Sequence, residues 1–150
     1  MVLALVQDDA GYRIVYLLHI ATIVAAFSGA MVGARLQAAG RADAGAAGSI
    51  GRVLADLTTK MHVPALALAG LFGILLIVLS DGYEMSQSWI SIAFVLWFAM
   101  LGVMWFLLRP AQVAAAGGDA DAGKKTAMFT GIIHLLFLLM LIDMIWKPGL

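Results

Sequence analysis

Four long apolar runs, near residues 13–36, 63–80, 89–108 and 127–146, take up most of the chain, and the polar residues gather between them. Each run carries at most a charge or two, and those lie near its ends. The hydrocarbon core of a bilayer is roughly 30 Å thick, so a spanning helix needs about 20 residues. Backbone groups in lipid must be paired inside a helix or a closed barrel, and none of the runs alternates as a barrel strand would. The pattern predicts an all-α membrane protein, a four-transmembrane-helix bundle forming a single integral membrane domain over residues 1–150.

The connections add detail. Residues 81–88 are few, so the second and third helices form a tight hairpin. The segment 37–61 begins Ala/Gly-rich, and from Ser49 it becomes patterned: Ile50, Val53, Leu54, Leu57 and Met61 recur at helical spacing. A short amphipathic helix on the cytoplasmic interface is expected there, capped by Ser49. The alternative is an inward extension of the second span, and Pro64 favours a break or bend between them. The segment 111–126, with Gly117, Gly118 and Gly123, reads as a flexible turn. It lacks the spacing of a phosphate-binding loop.

Composition narrows the class. Of 150 residues, 63% are hydrophobic and 12% charged, too few polar groups to cover a water-soluble domain of this size. The formal net charge of zero gives no sign of nucleic-acid binding. The absence of cysteine excludes disulfides, thiolate metal sites and cysteine nucleophiles. Asp8 and Asp9 stand where a signal peptide carries basic residues, so the first span is read as retained. High Ala and Gly content points to a GC-rich bacterial genome.

Charge sets the orientation. Arg35, Arg41, Arg52, Lys60, Arg109, Lys124 and Lys125 fall in the two longer connections; only Arg13 and Lys147 lie on the other side. Under the positive-inside rule both long connections are cytoplasmic, and the N-terminus and C-terminus are outside a bacterial cytoplasmic membrane. Trp89, Trp146, Tyr12, Tyr16 and Tyr83 agree as outer interfacial anchors, with Trp105 at the inner side. Trp97 falls mid-span, as packing or as the wall of a cofactor site.

Helices in lipid associate through small residues. Gly29 and Gly33 form a G-x-x-x-G pair. His19 shares a face with Thr22, Ala26, Ala30 and Gly33; His62 with Ala65, Ala69, Gly73 and Ser80; His134 with Ala127, Thr130 and Gly131. All three histidines are therefore expected in the bundle interior. Histidines on neighbouring spans can ligate haem, which makes His19 and His134 candidate haem b ligands. Depth disfavours their sharing one iron, since the two are offset by about a third of the core thickness. One histidine with another axial ligand, such as one of the nine methionines, is the remaining arrangement. Simple packing through a carbonyl or hydroxyl is the competing role. Arg13 and Asp143 are expected to pair at the outer end; the sharper alternative is a proton relay from Asp143 toward His19. There is no H-E-x-x-H, no G-x-S-x-G and no carboxylate cluster, which disfavours hydrolytic chemistry.

The stretches YLLHIATIVAAFSGAMVGARL and PALALAGLFGILLIVLSDGYEMSQSWISIAFVLWFAMLGVMWFLLRPA resemble a bacterial family of small four-helix integral membrane proteins of unknown function. A more distant likeness runs to haem-dependent four-helix protoporphyrinogen oxidases and to copper-resistance membrane domains, which also begin with a Leu-His helix. Only His19 carries over, and the Trp and Pro-Arg-Leu-Phe pattern of the oxidases is absent. The resemblance implies a haem-b-binding membrane protein through His19.

Sparse charge, extensive small-residue faces and the lack of a complete catalytic constellation lead to a non-catalytic accessory subunit of a larger membrane complex or homo-oligomer. A haem-b redox protein is the alternative, and a proton-linked transporter component the third. The orientation is testable because the chain has no cysteine of its own. A membrane-impermeant maleimide should label the Lys147→Cys variant in intact cells and the Lys124→Cys variant only after the membrane is opened; the reverse pattern would overturn the assigned topography.

Overall fold

In the computed structural model, residues 9–80 and 82–149 are described; Asp8 and Asp81, and the side chains of Ala30 and Arg41, lie outside the described residues. The described chain is helical throughout: α1 (Ala10–Ala42), α2 (Ala44–Leu57), α3 (Val63–Val78), α4 (Ser88–Gly102), α5 (Arg109–Ala116) and α6 (Ala120–Trp146). Four stretches are long and apolar enough to cross a membrane: Ala10–Gly29, Gly45–Val78, Ser88–Ala116 and Ala120–Trp146.

Aspartates punctuate this arrangement. Asp9, Asp43 and Asp119 each have extended backbone and accept a hydrogen bond from an N–H of the helix that follows, at Gly11, Gly45 and Asp121. Each satisfies a donor that the first helical turn leaves unpaired. Asp43 is the sole residue between α1 and α2. The amphipathic helix thus starts at Ala44, ahead of the expected Ser49, and the Ala/Gly-rich stretch before it is helical as well.

Of the break or bend expected at Pro64, a break is not present. Between α2 and α3 lies a π-helical turn, Thr58–His62, and between α4 and α5 another, Val103–Leu108. Pro64 and Pro110 follow them directly. A proline inside a helix lacks the N–H and presses on the carbonyl four residues earlier. A widened turn relieves that clash without ending the helix. Residues 44–78 and 88–116 therefore run as two near-continuous rods. The α2 segment extends the second span, as the alternative reading had it, and its apolar side packs on protein: Leu54 and Ala55 are buried. The expected flexible segment 111–126 shrinks to the turn at 117–119, because the alanine-rich stretch 111–116 favours helix.

Close contacts define an antiparallel path for α1 along the first rod. Gly40 approaches Ala47, Gly33 approaches Leu54, Gly29 approaches His62, and His19 reaches Ala69 and Gly73. The two rods run antiparallel in turn, through Gly51 against Ala116, Arg109 against Thr59 and Trp97 against Leu66. The long apolar helix α6 closes the bundle by stacking Phe137 on Phe27, centroids 3.8 Å apart. Ala26, Leu66, Met100 and Ile133 lie in the core. Outward faces are apolar too; Val24, Phe98, Phe106 and Ile145 are each more than half exposed.

Gly70 tests this packing. A Cβ there would lie 2.1 Å from Trp97 Cε2, while one at Gly131 would meet nothing within 4 Å. Gly70→Ala should cost about 1–3 kcal/mol of stability, as overpacked cores do. Gly131→Ala should cost nothing measurable in the isolated chain. Thermal unfolding in detergent, followed by near-ultraviolet circular dichroism, compares the two.

Candidate functional site

Two aromatic rings lean on α3 in the same way. Trp97 of α4 donates its indole N–H to the Leu66 carbonyl at 2.8 Å, and the ring lies where a side chain at Gly70 would be. His19 of α1 bonds the Ala69 carbonyl through Nδ1 at 2.8 Å and lies against Gly73, whose added Cβ would be 3.3 Å from Cε1. In each case the glycine sits four residues after the bonded carbonyl. A helical side chain covers the turn preceding its own Cα. Glycine at that position uncovers a carbonyl lone pair that the helix bond does not use.

The tautomer of His19 follows from this bond. A carbonyl can only accept, so Nδ1 carries the proton and Nε2 keeps its lone pair. Nε2 has no hydrogen-bond partner among the described residues. The ring borders a cavity of about 370 Å³ at the end of the bundle that carries both termini. All four spans contribute: Tyr12 and Tyr16 from α1, Gly73 from α3, Trp97 from α4 and Met144 from α6. The size falls within the range of about 300–1,000 Å³ typical of small-molecule sites, and the walls are mainly apolar.

Lys147 closes the mouth. It ends α6 in the left-handed region, at φ 43°. Its ammonium donates to the Tyr83 hydroxyl and lies 4.4 Å from the Tyr83 ring centre and 5.3 Å from that of Trp89. Cation–π attraction and the hydrogen bond offset the backbone strain. Trp89 is buried, with its N–H on the Gln87 side-chain oxygen at 3.0 Å, so it packs in the bundle where a surface anchor was expected.

The other candidates part company. His62 is buried and its ring lies against Gly29, as the small-residue face suggested, but Nε2 has no partner. Gly33 meets Leu54 at ordinary contact distance. His134 is exposed, contrary to the expected interior position. Ile133, Phe137 and Met140 take the inner face of α6 because bulky side chains fill the gap opposite Phe27. That turns the small-residue side outward, and His134 does not border the cavity that His19 borders. Asp143 is buried, and among the described residues neither carboxylate oxygen accepts a hydrogen bond. Among the described residues no three His, Asp or Glu side chains gather as a metal centre.

Sequence reasoning missed Gly70, Tyr83 and Lys147 as parts of this site. The available signal was the pair Gly70 and Gly73, three apart on the same span as Ala69, facing a mid-span tryptophan. Comparison with protein-family models, curated proteins and solved structures finds no match for the chain.

Proposed function

We propose that this chain is a multi-pass membrane protein that serves as an accessory subunit, packing through α6 against a membrane helix of another protein. The exposed imidazole of His134 carries this reading. It lies near the middle of an apolar helix, with exposed Ala127 and Gly131 on the same side. Ionisable groups at such depth are costly in lipid and nearly always face protein. Small residues around it let a second backbone approach, and the partner would present a hydrogen-bonding group to the ring. The outward apolar faces of all four spans support insertion, and the basic residues support both termini outside the cytoplasmic membrane.

The test replaces Gly131, which has open space around it. Gly131→Trp should leave the isolated chain as stable as before yet shift its native-gel migration in mild detergent from a large complex to the lone subunit. A wild-type chain that always migrates alone would overturn the accessory role.

A second reading rests on His19. Metal-binding histidines usually donate their other ring N–H to a backbone carbonyl, and His19 has that arrangement with Ala69. Met100, Met140 and Met144 line the same cavity, and a thioether among them would serve with His19 to hold the iron. These residues suit haem b, which would supply one-electron redox chemistry when bound; the protein would hold the ring tautomer, exclude water and supply apolar walls. The purified protein supplied with haem should show a Soret band that His19→Ala abolishes and His134→Ala leaves intact. Equal loss in both variants, or no band in the wild type, would remove this reading.

A further inference from the structure

At the end of the bundle opposite both termini, α2 and α5 touch at Gly51, whose added Cβ would lie 2.9 Å from the Ala116 Cα. Beside that contact lies an open groove of about 470 Å³, bordered by Arg52, Asp56 and Thr59 on one rod and by Arg109 and Val113 on the other. The proposed site is outside the cavity that His19 borders.

The charges in the groove are already sorted. Lys60 pairs with Asp56 at 2.6 Å, which neutralises the acid. Arg52 is exposed and has no hydrogen bond or ion pair among the described residues. Arg109 is held in place from two sides: Nε donates to the Thr59 hydroxyl at 2.9 Å, and the guanidinium carbon lies 5.0 Å from the centre of the Trp105 ring. Its terminal nitrogens carry no hydrogen bond among the described residues. A guanidinium fixed in this way presents a planar set of donors suited to phosphate oxygens. Trp105, Phe106 and Val113, on the same rod, are 42%, 73% and 53% exposed, which leaves an apolar surface near the two arginines.

We infer that Arg52 and Arg109 bind the phosphate of an anionic phospholipid headgroup. The inference rests on the membrane-spanning reading above and goes beyond it. A free phosphate ion shares the same chemistry, but it would have no use for the neighbouring apolar surface. Basic pockets between helices at the cytoplasmic side are suited to such headgroups.

The test uses the whole chain reconstituted into phosphatidylcholine vesicles with and without phosphatidylglycerol, re-extracted in mild detergent and weighed by native mass spectrometry. The wild type should retain phosphatidylglycerol in preference to phosphatidylcholine. Arg52→Gln and Arg109→Gln should each lower that preference about tenfold, the loss expected for one charge-assisted hydrogen bond. Lys125→Gln, which removes an equal charge outside the groove, should leave it unchanged. Because Arg52 has no structural bond to lose, its variant keeps the test clear of misfolding. An equal loss in Lys125→Gln, or no loss in Arg52→Gln, would overturn the site. So would inorganic phosphate that binds the chain in pure phosphatidylcholine vesicles and displaces the lipid, since the groove would then take a small anion. Alkaline carbonate extraction separates the two claims: release of the chain would sink the spanning reading, whereas firm insertion without lipid preference would sink the headgroup site alone.

Discussion

The bundle depends on glycines that let rings from neighbouring helices lie against a bare backbone. Gly70 and Gly73 of α3 receive Trp97 and His19, and Gly29 of α1 receives His62. In two of these contacts the ring also bonds a carbonyl that the missing side chain leaves uncovered. Such contacts supply dispersion over a close approach and a directional hydrogen bond. They hold α1 and α4 on α3, and α6 then fills the remaining gap with Phe137 and Ile133.

That geometry also creates the cavity. Trp97 and His19, which lie against Gly70 and Gly73, both border it, and so do Tyr83, Trp89 and Lys147, whose ammonium lies over the two rings. At the opposite end α2 and α5 come together at Gly51 and Ala116, and the two prolines follow π-helical turns. Polar groups are partnered unevenly. His19 and Trp97 are bonded, whereas His62 Nε2, Gln112 Oε1 and both oxygens of Asp143 are buried without hydrogen-bond partners among the described residues. Unpaired buried polar atoms lower stability.

Much of this was legible beforehand. The four long apolar stretches came from apolar run length, and the inward positions of His19 and His62 from their small-residue neighbours. Helix ends were less legible. Asp43 and Asp119 act as caps only because the chain turns at them, and Ser49, an equally good capping residue, lies inside a helix. Pro64 and Pro110 look like breaks until the widened turns ahead of them are known. His134 is the instructive failure: its small neighbours suggested an interior face, but α6 packs by bulk, with Ile133 and Phe137 inward.

The sequence by itself determined four apolar helices and their up-and-down order, because hydropathy is a sum over single side chains and needs no knowledge of neighbours. It also contained the glycines that permit close approach. Only the tertiary structure decided which glycine receives which ring, which tautomer His19 adopts and which side of α6 is left uncovered. Those outcomes are properties of pairs of helices, set by where two surfaces leave room for each other, and no pattern within one helix contains its partner's shape.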